Sequence, residues 1–179
     1  MSEAPRAPAC RRFARLGTDD ADRYADHLLR LDAEDRRLRF FDDAPEFLIH
    51  LHAGAAASDG RIVAICEEDN GEIHAAGELL ADPERPDVGE LAFSVEKSAR
   101  RQGIGSALMR ELIAEGARAG FARLELELLP DNESMLALAR RFAEKVERRG
   151  GHLFATIAVP AAGVSPEPAS AQNPCRDRP

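Results

Sequence analysis

The chain has 179 residues, 44% hydrophobic and 31% charged, with a formal net charge of −8. That composition is globular, fits one domain with tails, and excludes a fibrous or disordered chain. The acidic balance lacks the basic footprint of a nucleic-acid binder, and no apolar run approaches the roughly 18 residues of a membrane helix, so neither nucleic acid nor membrane is expected as a partner.

Met1 to Arg12 has no apolar signal core, and a cytoplasmic location is expected. Cys10, Cys66 and Cys175 are scattered and imply no disulfide framework. The five histidines, His27, His50, His52, His74 and His152, show no zinc spacing, so no metal is expected. Residues 1–9 are rich in Pro and Ala, and residues 160–179 hold five of the eleven prolines. Both stretches are predicted to be flexible tails around a domain at 10–159.

In chain order, Arg12 to Leu16 alternates and reads as a strand. Thr18 to Asp20 offers a cap for a helix carrying Tyr24, Leu28 and Leu31. Asp32 caps a second helix, with Leu38 and Phe41 on one face. A third helix is predicted after Pro45, with Phe47, Leu48 and Leu51 inward. Arg61 to Cys66 and Ile73 to Leu80 read as strands joined by the Asp69-Asn70-Gly71 turn. Gly89 to Glu96 is a further strand, with Leu91, Phe93 and Val95 on one face and Glu90 on the other. A long amphipathic helix opens at Gly103 to Ser106 and ends at Gly120. Ala122 to Leu129 is a strand, and Pro130-Asp131-Asn132 breaks it. A helix with Met135, Leu138 and Phe142 on one stripe follows, then a hairpin folded at Arg149-Gly150-Gly151. This order implies a mixed α/β sheet with helices on its faces.

The informative feature is the turn Ser98-Ala-Arg-Arg-Gln-Gly-Ile-Gly-Ser106, set between a strand and a helix. Gly103 and Gly105 permit a tight bend and close approach of a ligand. The first helical turn then presents N–H groups to an anion, for which a pyrophosphate is the natural guest. A P-loop reading fails, because Ser106-Ala107 follows Gly105 where Lys-Ser/Thr is needed. A dinucleotide fold lacks its third glycine, since Leu108 stands there, and such folds usually begin with this motif.

Residues Val95 to Leu108 resemble motif A of the GNAT N-acetyltransferases, the pattern Gln/Arg-x-x-Gly-x-Gly/Ala. The element order is similar to that family from about Arg12 to Val159. The segments His27 to Phe41 and Pro130 to Arg141 resemble the catalytic domain of bacterial Pat-type protein lysine acetyltransferases. The resemblance implies a mostly antiparallel sheet of about seven strands, splayed between the motif A strand and the next one. It implies acetyl transfer from acetyl-CoA to a primary amine by direct attack in a ternary complex. A protein lysine is the favoured acceptor; a small amine, or a catalytically idle acyl-CoA-binding module, are the alternatives. A bacterial source is suggested by the Arg- and Ala-rich composition.

The same resemblance implies the site. Phe93 and Val95 would offer unpaired backbone groups to the coenzyme arm, with the Val95 N–H as oxyanion donor. The backbone of Arg101, Gln102, Gly103, Ile104, Gly105 and Ser106 would hold the pyrophosphate, with Arg100 and Arg101 adding charge at its rim. Asn132 would contact the coenzyme, or cap a helix, or both. Glu90 matches the glutamate that serves as general base; Glu78 and Glu127 are backups. Many members carry a tyrosine where this chain has Ala139. Tyr24, the one tyrosine, is expected in the core or the acceptor groove. Ala143-Glu144 replaces a usual Gly-Phe, which predicts a longer last helix and an altered acceptor pocket. Arg36 and Arg39 read as surface charge on a chain with 22 arginines and 2 lysines.

Overall fold

The computed structural model describes residues 11–58, 62–67 and 71–160. Seven strands form one sheet in the order β1-β2-β3-β4-β5-β7-β6. They are β1 (Arg11–Leu16), β2 (Ile62–Glu67), β3 (Ile73–Ala81), β4 (Val88–Val95), β5 (Arg123–Leu128), β6 (Lys145–Arg149) and β7 (His152–Ala158). Helices α1 (Ala21–Arg30), α2 (Ala33–Phe40) and α3 (Glu46–Ser58) precede β2. Helix α4 (Ile104–Ala119) joins β4 to β5, and α5 (Glu133–Ala139) joins β5 to β6. Only the β4–β5 pair is parallel, because only α4 carries the chain back across the sheet. The sheet's mixed, open and mostly antiparallel character is the one the sequence implies.

Two cores lie on opposite faces. On one, Leu108, Met109 and Leu112 of α4 pack on Leu79, Leu91, Phe93, Leu124 and Leu126. Close approach there requires glycine: a Cβ on Gly77 would stand 2.4 Å from Leu112 Cδ1. On the other face, Tyr24 and Leu28 of α1 and Ile49 and Ala53 of α3 cover Ile62, Ile73 and Ala76.

Four expectations need correction or fall aside. Phe47 (68%), Leu48 (44%) and Leu51 (68%) are exposed, and α3 buries Ile49, Ala53, Ala56 and Ala57 instead. The α3 sequence is apolar nearly all round, so hydrophobicity does not select a face; the alanine stripe allows the closer approach to α1. Phe41 is not on the α2 face with Leu38, because it leaves the helix in the left-handed region at φ 65°. Helix α5 ends at Ala139 rather than running on. Ala143 and Glu144 belong to the turn into β6, where the Glu144 N–H donates to Thr156 O at 2.9 Å. The Asp69-Asn70 turn and both predicted tails, apart from Pro160, lie outside the described residues.

Candidate active site

The site begins where β4 and β5 part. Their parallel register runs from Val88↔Arg123 to Leu91↔Leu126 and stops, although β4 continues to Val95. On its other side β4 stays paired with β3 as far as Ala75↔Val95. The Asp82 N–H donates to Val88 O (3.2 Å) and the Glu96 N–H to His74 O (3.0 Å), which fixes the even-numbered residues of β4 as those bonded to β3. Antiparallel alternation therefore turns the backbone N–H and C=O groups of Phe93 and Val95 toward the opened side. Those groups are the polar lining of the splay.

The Val95 carbonyl already has a partner. Arg100 donates to it through Nε (3.0 Å) and Nη2 (2.9 Å), and Arg100 Nη2 lies 2.7 Å from Asp35 Oδ1 of α2. The rim position expected for Arg100 is thus not where its guanidinium sits; the nearer carbonyl and carboxylate hold it at the end of β4.

The glycine turn follows a short 3-10 turn at Lys97–Ala99. Arg101 (φ 59°) and Gly103 (φ 78°) both take left-handed backbone, which reverses the chain into α4. The first full helical bond is from the Ala107 N–H to Gly103 O at 3.0 Å. The N–H groups of Ile104, Gly105 and Ser106 precede it at the positive end of a 16-residue helix. Side chains here are turned to structure. Gln102 Nε2 donates to Ser98 O (2.9 Å), Ile104 is buried, and Ser106 Oγ accepts from Arg141 Nη1 at 3.0 Å. What the turn offers a ligand is backbone.

A cavity of about 190 Å³ lies on the other side of the splay, between α2, α3 and the sheet. Leu38, Phe41, Leu80 and Phe154 give it apolar walls, and Asn132 and Met135 close the α5 end. Asn132 also caps α5, its Oδ1 accepting from the Met135 N–H at 3.1 Å. Four carboxylates, Glu78, Glu90, Glu125 and Glu127, line the same space.

Three of the four are occupied by cations or donors. Glu78 is buried, and its Oε1 accepts from Tyr24 OH, from Arg39 Nη2 (2.6 Å) and from His52 Nε2 (2.8 Å). Burial alone would raise its pKa, but the Arg39 charge and the His52 and Tyr24 hydrogen bonds outweigh that and lower it to about 2. Glu125 receives Arg85 Nη2 and Arg149 Nη1, each at 2.9 Å. Glu127 is bonded to His152 Nδ1. Glu90 differs: among the described residues its nearest cation is Arg85, at 4.0 Å. Partial burial and then the charges of Asp82, Glu125 and Glu127 push its carboxyl above the ordinary value, against the pull of Arg85.

Beneath the end of β4, Glu96 joins the strand to α1. It is held by Arg30 Nε (2.9 Å), His27 Nδ1 (3.1 Å) and His74 Nδ1 (3.2 Å). Burial raises its pKa, but these partners bring it down to about 2.

Glu90, Phe93 and Asn132 line one cavity; Val95 ends β4, and the 101–106 turn follows it into α4. Glu78 and Glu127, the backups, each have hydrogen-bond partners in place. Sequence reasoning missed His52 as a wall of the cavity and took Arg39 for surface charge, whereas the Arg39 side chain is only 9% exposed and paired with Glu78. The cap at Asp32 sets the phase of α2, but only the sheet beneath decides that Arg39 points inward. Tyr24 is fully buried with its hydroxyl on Glu78, and its pKa is raised, by burial first and by Glu78 second. Ala139 is buried and carries no acid.

Splayed strands, a glycine turn and a helix aimed at the gap define an acyl-CoA-dependent transferase architecture. Residues 22–143 match the model of the acetyltransferase (GNAT) family, and the chain belongs to that family. The chain is therefore an acetyl-CoA-dependent N-acetyltransferase acting on an amine acceptor. Its fold is similar to the GNAT domain of S. lividans PAT, with a TM-score of 0.68, 20% identity, and coverage of 83% of this chain and 90% of that one. It is similar to a GNAT-family acetyltransferase from Streptococcus pneumoniae (TM-score 0.62, 19% identity, 82% and 96% covered). It is also similar to a proposed acetyltransferase from Salmonella typhimurium with its cofactor acetyl-CoA (TM-score 0.61, 15% identity, 84% and 95% covered). At these identities the likeness is one of fold. Among the described residues no helix is long and apolar enough to cross a membrane.

Proposed function

We propose that the protein transfers the acetyl group of acetyl-CoA to the side-chain amine of a protein lysine, with Glu90 as general base. The carrying observation is that, among the described residues, Glu90 alone of the four lining carboxylates has no cation or donor nearer than Arg85 at 4.0 Å, and it stands where β4 and β5 begin to part. The favoured lysine acceptor draws on the resemblance of residues 27–41 and 130–141 to Pat-type enzymes, and on the similar fold of the S. lividans PAT domain.

The residues present fit acetyl-CoA. The opened edge of β4 offers Phe93 and Val95 backbone groups to an amide-bearing arm. The backbone N–H groups of residues 101–106 offer an anion site at a helix N-terminus. Arg101 stands exposed at that turn, and Asn132 lies at the cavity's α5 end. When bound, acetyl-CoA supplies an activated thioester.

An amine entering the cavity arrives protonated, since a lysine pKa lies near 10.4. Glu90, held as a stronger base than a free glutamate, accepts that proton directly or through one water. The neutral nitrogen then forms a bond to the acetyl carbon. The Val95 N–H donates to the carbonyl oxygen as it gains charge; a donor of this kind contributes roughly 3–4 kcal/mol. The C–S bond breaks; the nitrogen, cationic after attack, gives its extra proton to solvent to leave the neutral amide, and the thiolate takes a proton from solvent, since Ala139 offers none.

The test is acetyl transfer to lysine peptides, followed by mass spectrometry of the peptide and thiol release. Acetyl-lysine formed in proportion to enzyme supports the reading. Turnover with small amines and none with any lysine peptide would overturn the acceptor assignment.

A further inference from the structure

The last residues of β4 are held along one edge only. The ladder with β5 stops at Leu91, and beyond it β3 alone stays paired with β4, as far as Val95. A strand bonded along one edge can twist about that edge. A backbone donor that serves an acyl transfer must still stand about 2.7–3.1 Å from the oxyanion, and be held to roughly 0.5 Å and 10–20°. The sheet by itself does not supply that constraint at Val95.

Helix α1 supplies a second hold. Its His27 is fully buried. The Nε2 atom lies 2.8 Å from Ser94 Oγ, and Nδ1 lies 3.1 Å from Glu96 Oε1. Ser94 and Glu96 are the residues immediately before and after Val95. One ring therefore grips the chain on both sides of Val95, from the sheet face opposite the Val95 side chain. Its neighbours fix the tautomer. Nδ1 also lies 3.2 Å from Ile73 O, so both atoms beside it are acceptors and Nδ1 carries a proton. In the neutral ring Nε2 then accepts from the Ser94 hydroxyl.

The ring is itself held. It stacks on Tyr24 of the same helix, with centroids 6.3 Å apart and 17° between planes. Glu96 is fixed in turn by Arg30 Nε at 2.9 Å and His74 Nδ1 at 3.2 Å, and its own N–H donates to His74 O at 3.0 Å. An apolar ring would fill the same space with no hydrogen bonds to satisfy. A buried imidazole bonded through both nitrogens instead specifies one arrangement of the groups it joins.

The geometry points to His27 as a positioning residue that clamps β4 across Val95 and so aims the Val95 N–H at the acetyl carbonyl. Being fully buried, it reaches neither coenzyme nor acceptor and acts through Ser94 and Glu96. The clamp rests on the reading of Val95 as oxyanion donor. It affects one part of catalysis: the 101–106 turn makes no bond to His27 among the described residues, so coenzyme binding is spared while a transition-state interaction is weakened.

The experiment uses the full-length chain, His27→Phe and Ser94→Ala, each with acetyl-CoA isotope-labelled at the acetyl carbonyl. Difference infrared spectroscopy reads the carbonyl stretch of the bound thioester, which a hydrogen-bond donor lowers from its free position. The stretch should be lowered in the wild type and return toward the free position in both variants. Acetyl-CoA affinity should stay within about threefold, while kcat for one amine acceptor falls roughly 10- to 100-fold, as misplacement by up to about 1 Å allows. A stretch still lowered in folded His27→Phe overturns the clamp and leaves the donor in place. A wild-type stretch at the free position overturns the donor reading and the clamp with it. A loss of kcat/KM that only follows lost acetyl-CoA affinity, with the stretch unmoved, makes His27 structural and also overturns the clamp. Should His27→Phe not fold, Ser94→Ala, which removes a single hydroxyl, decides by the same stretch. The stretch is read without acceptor, so it decides even where no amine is turned over.

Discussion

Replacing Glu90 by Gln keeps the side chain's size and removes its basicity. At pH 7.4 an amine of pKa 10.4 is neutral in only about one molecule per thousand, so a base is worth much here. General base catalysis contributes roughly 10²–10⁴-fold. Among the described residues Glu90 has no cation nearer than 4.0 Å, but its side chain is 54% exposed, so water can partly replace it. The lower half of that range is therefore expected: kcat/KM falls about 10²–10³-fold, or roughly 3–4 kcal/mol. Acetyl-CoA affinity should stay within about threefold. Glu90 projects from the sheet face opposite the Phe93 and Val95 side chains, and lies where β4 and β5 are still paired. Stability should hold or rise slightly. The folded-state pKa of Glu90 is raised, so its ionisation opposes folding above the usual carboxylate range, and Gln removes that opposition. The pH profile gives the sharpest signature. The variant's rate should climb about tenfold per pH unit toward pH 10 as free amine accumulates, while the wild type levels off earlier. A variant within threefold of wild type at pH 7.4, or one that has lost acetyl-CoA binding, refutes the assignment.

Further outcomes follow from the same geometry. Gly105→Glu places a carboxylate in the first turn of α4, where it should weaken acetyl-CoA binding by an order of magnitude or more at little cost to the fold, since acids suit helix N-termini and its Cβ, 3.2 Å from Leu138 Cδ2, presses only on the end of a flexible side chain; undiminished affinity by calorimetry rejects the turn as the pyrophosphate site. Gly89→Ala would put a Cβ 2.6 Å from Leu79 Cδ1, 2.8 Å from Leu124 Cδ2 and 2.9 Å from Phe121 Cδ2. With three elements converging there is little room to yield, so a loss of about 1–3 kcal/mol and a Tm lower by roughly 3–10 °C are expected; an unchanged melting curve would contradict the packing. Glu78 and Glu96 are held at about 2 in the folded state. The stability they contribute is present above the unfolded value near 4.5 and is lost as pH falls toward about 2, by up to about 1.4 kcal/mol per pH unit for each. Urea midpoints measured from pH 6 to 2.5 should drop steeply below 4.5, and a flat profile would mean that the two clusters do not hold their charge.

Much of this molecule is legible one-dimensionally. The capping residues, strand alternation and Gly103 and Gly120 punctuate the chain, so the succession of strands and helices can be read from local chemistry. The glycine turn is equally local: left-handed φ at Gly103 and the helix behind it are properties of a nine-residue segment. The face Glu90 occupies is legible for a similar reason, because alternation puts it opposite Leu91 and Phe93, while its proposed role came from the family resemblance. Residues that act through distant partners are not. Nothing in the run of arginines from 36 to 39 distinguishes the one that meets Glu78, 39 positions later. Arg100 lies within the very motif that suggested an anion, yet a carbonyl and Asp35 hold it.

What sequence alone determined was the succession of strands and helices and the glycine turn that opens α4, because both are written in short-range periodicity and turn chemistry; the acetyltransferase family was legible through the resemblance of that turn and its flanks. Tertiary structure alone decided which face of α3 is buried, which carboxylates are neutralised, and that among the described residues the cation nearest Glu90 is Arg85, at 4.0 Å. Those are differences of a few ångströms between side chains far apart in sequence. They depend on how helices settle on the sheet, and pairing across such distances has no local signal to read.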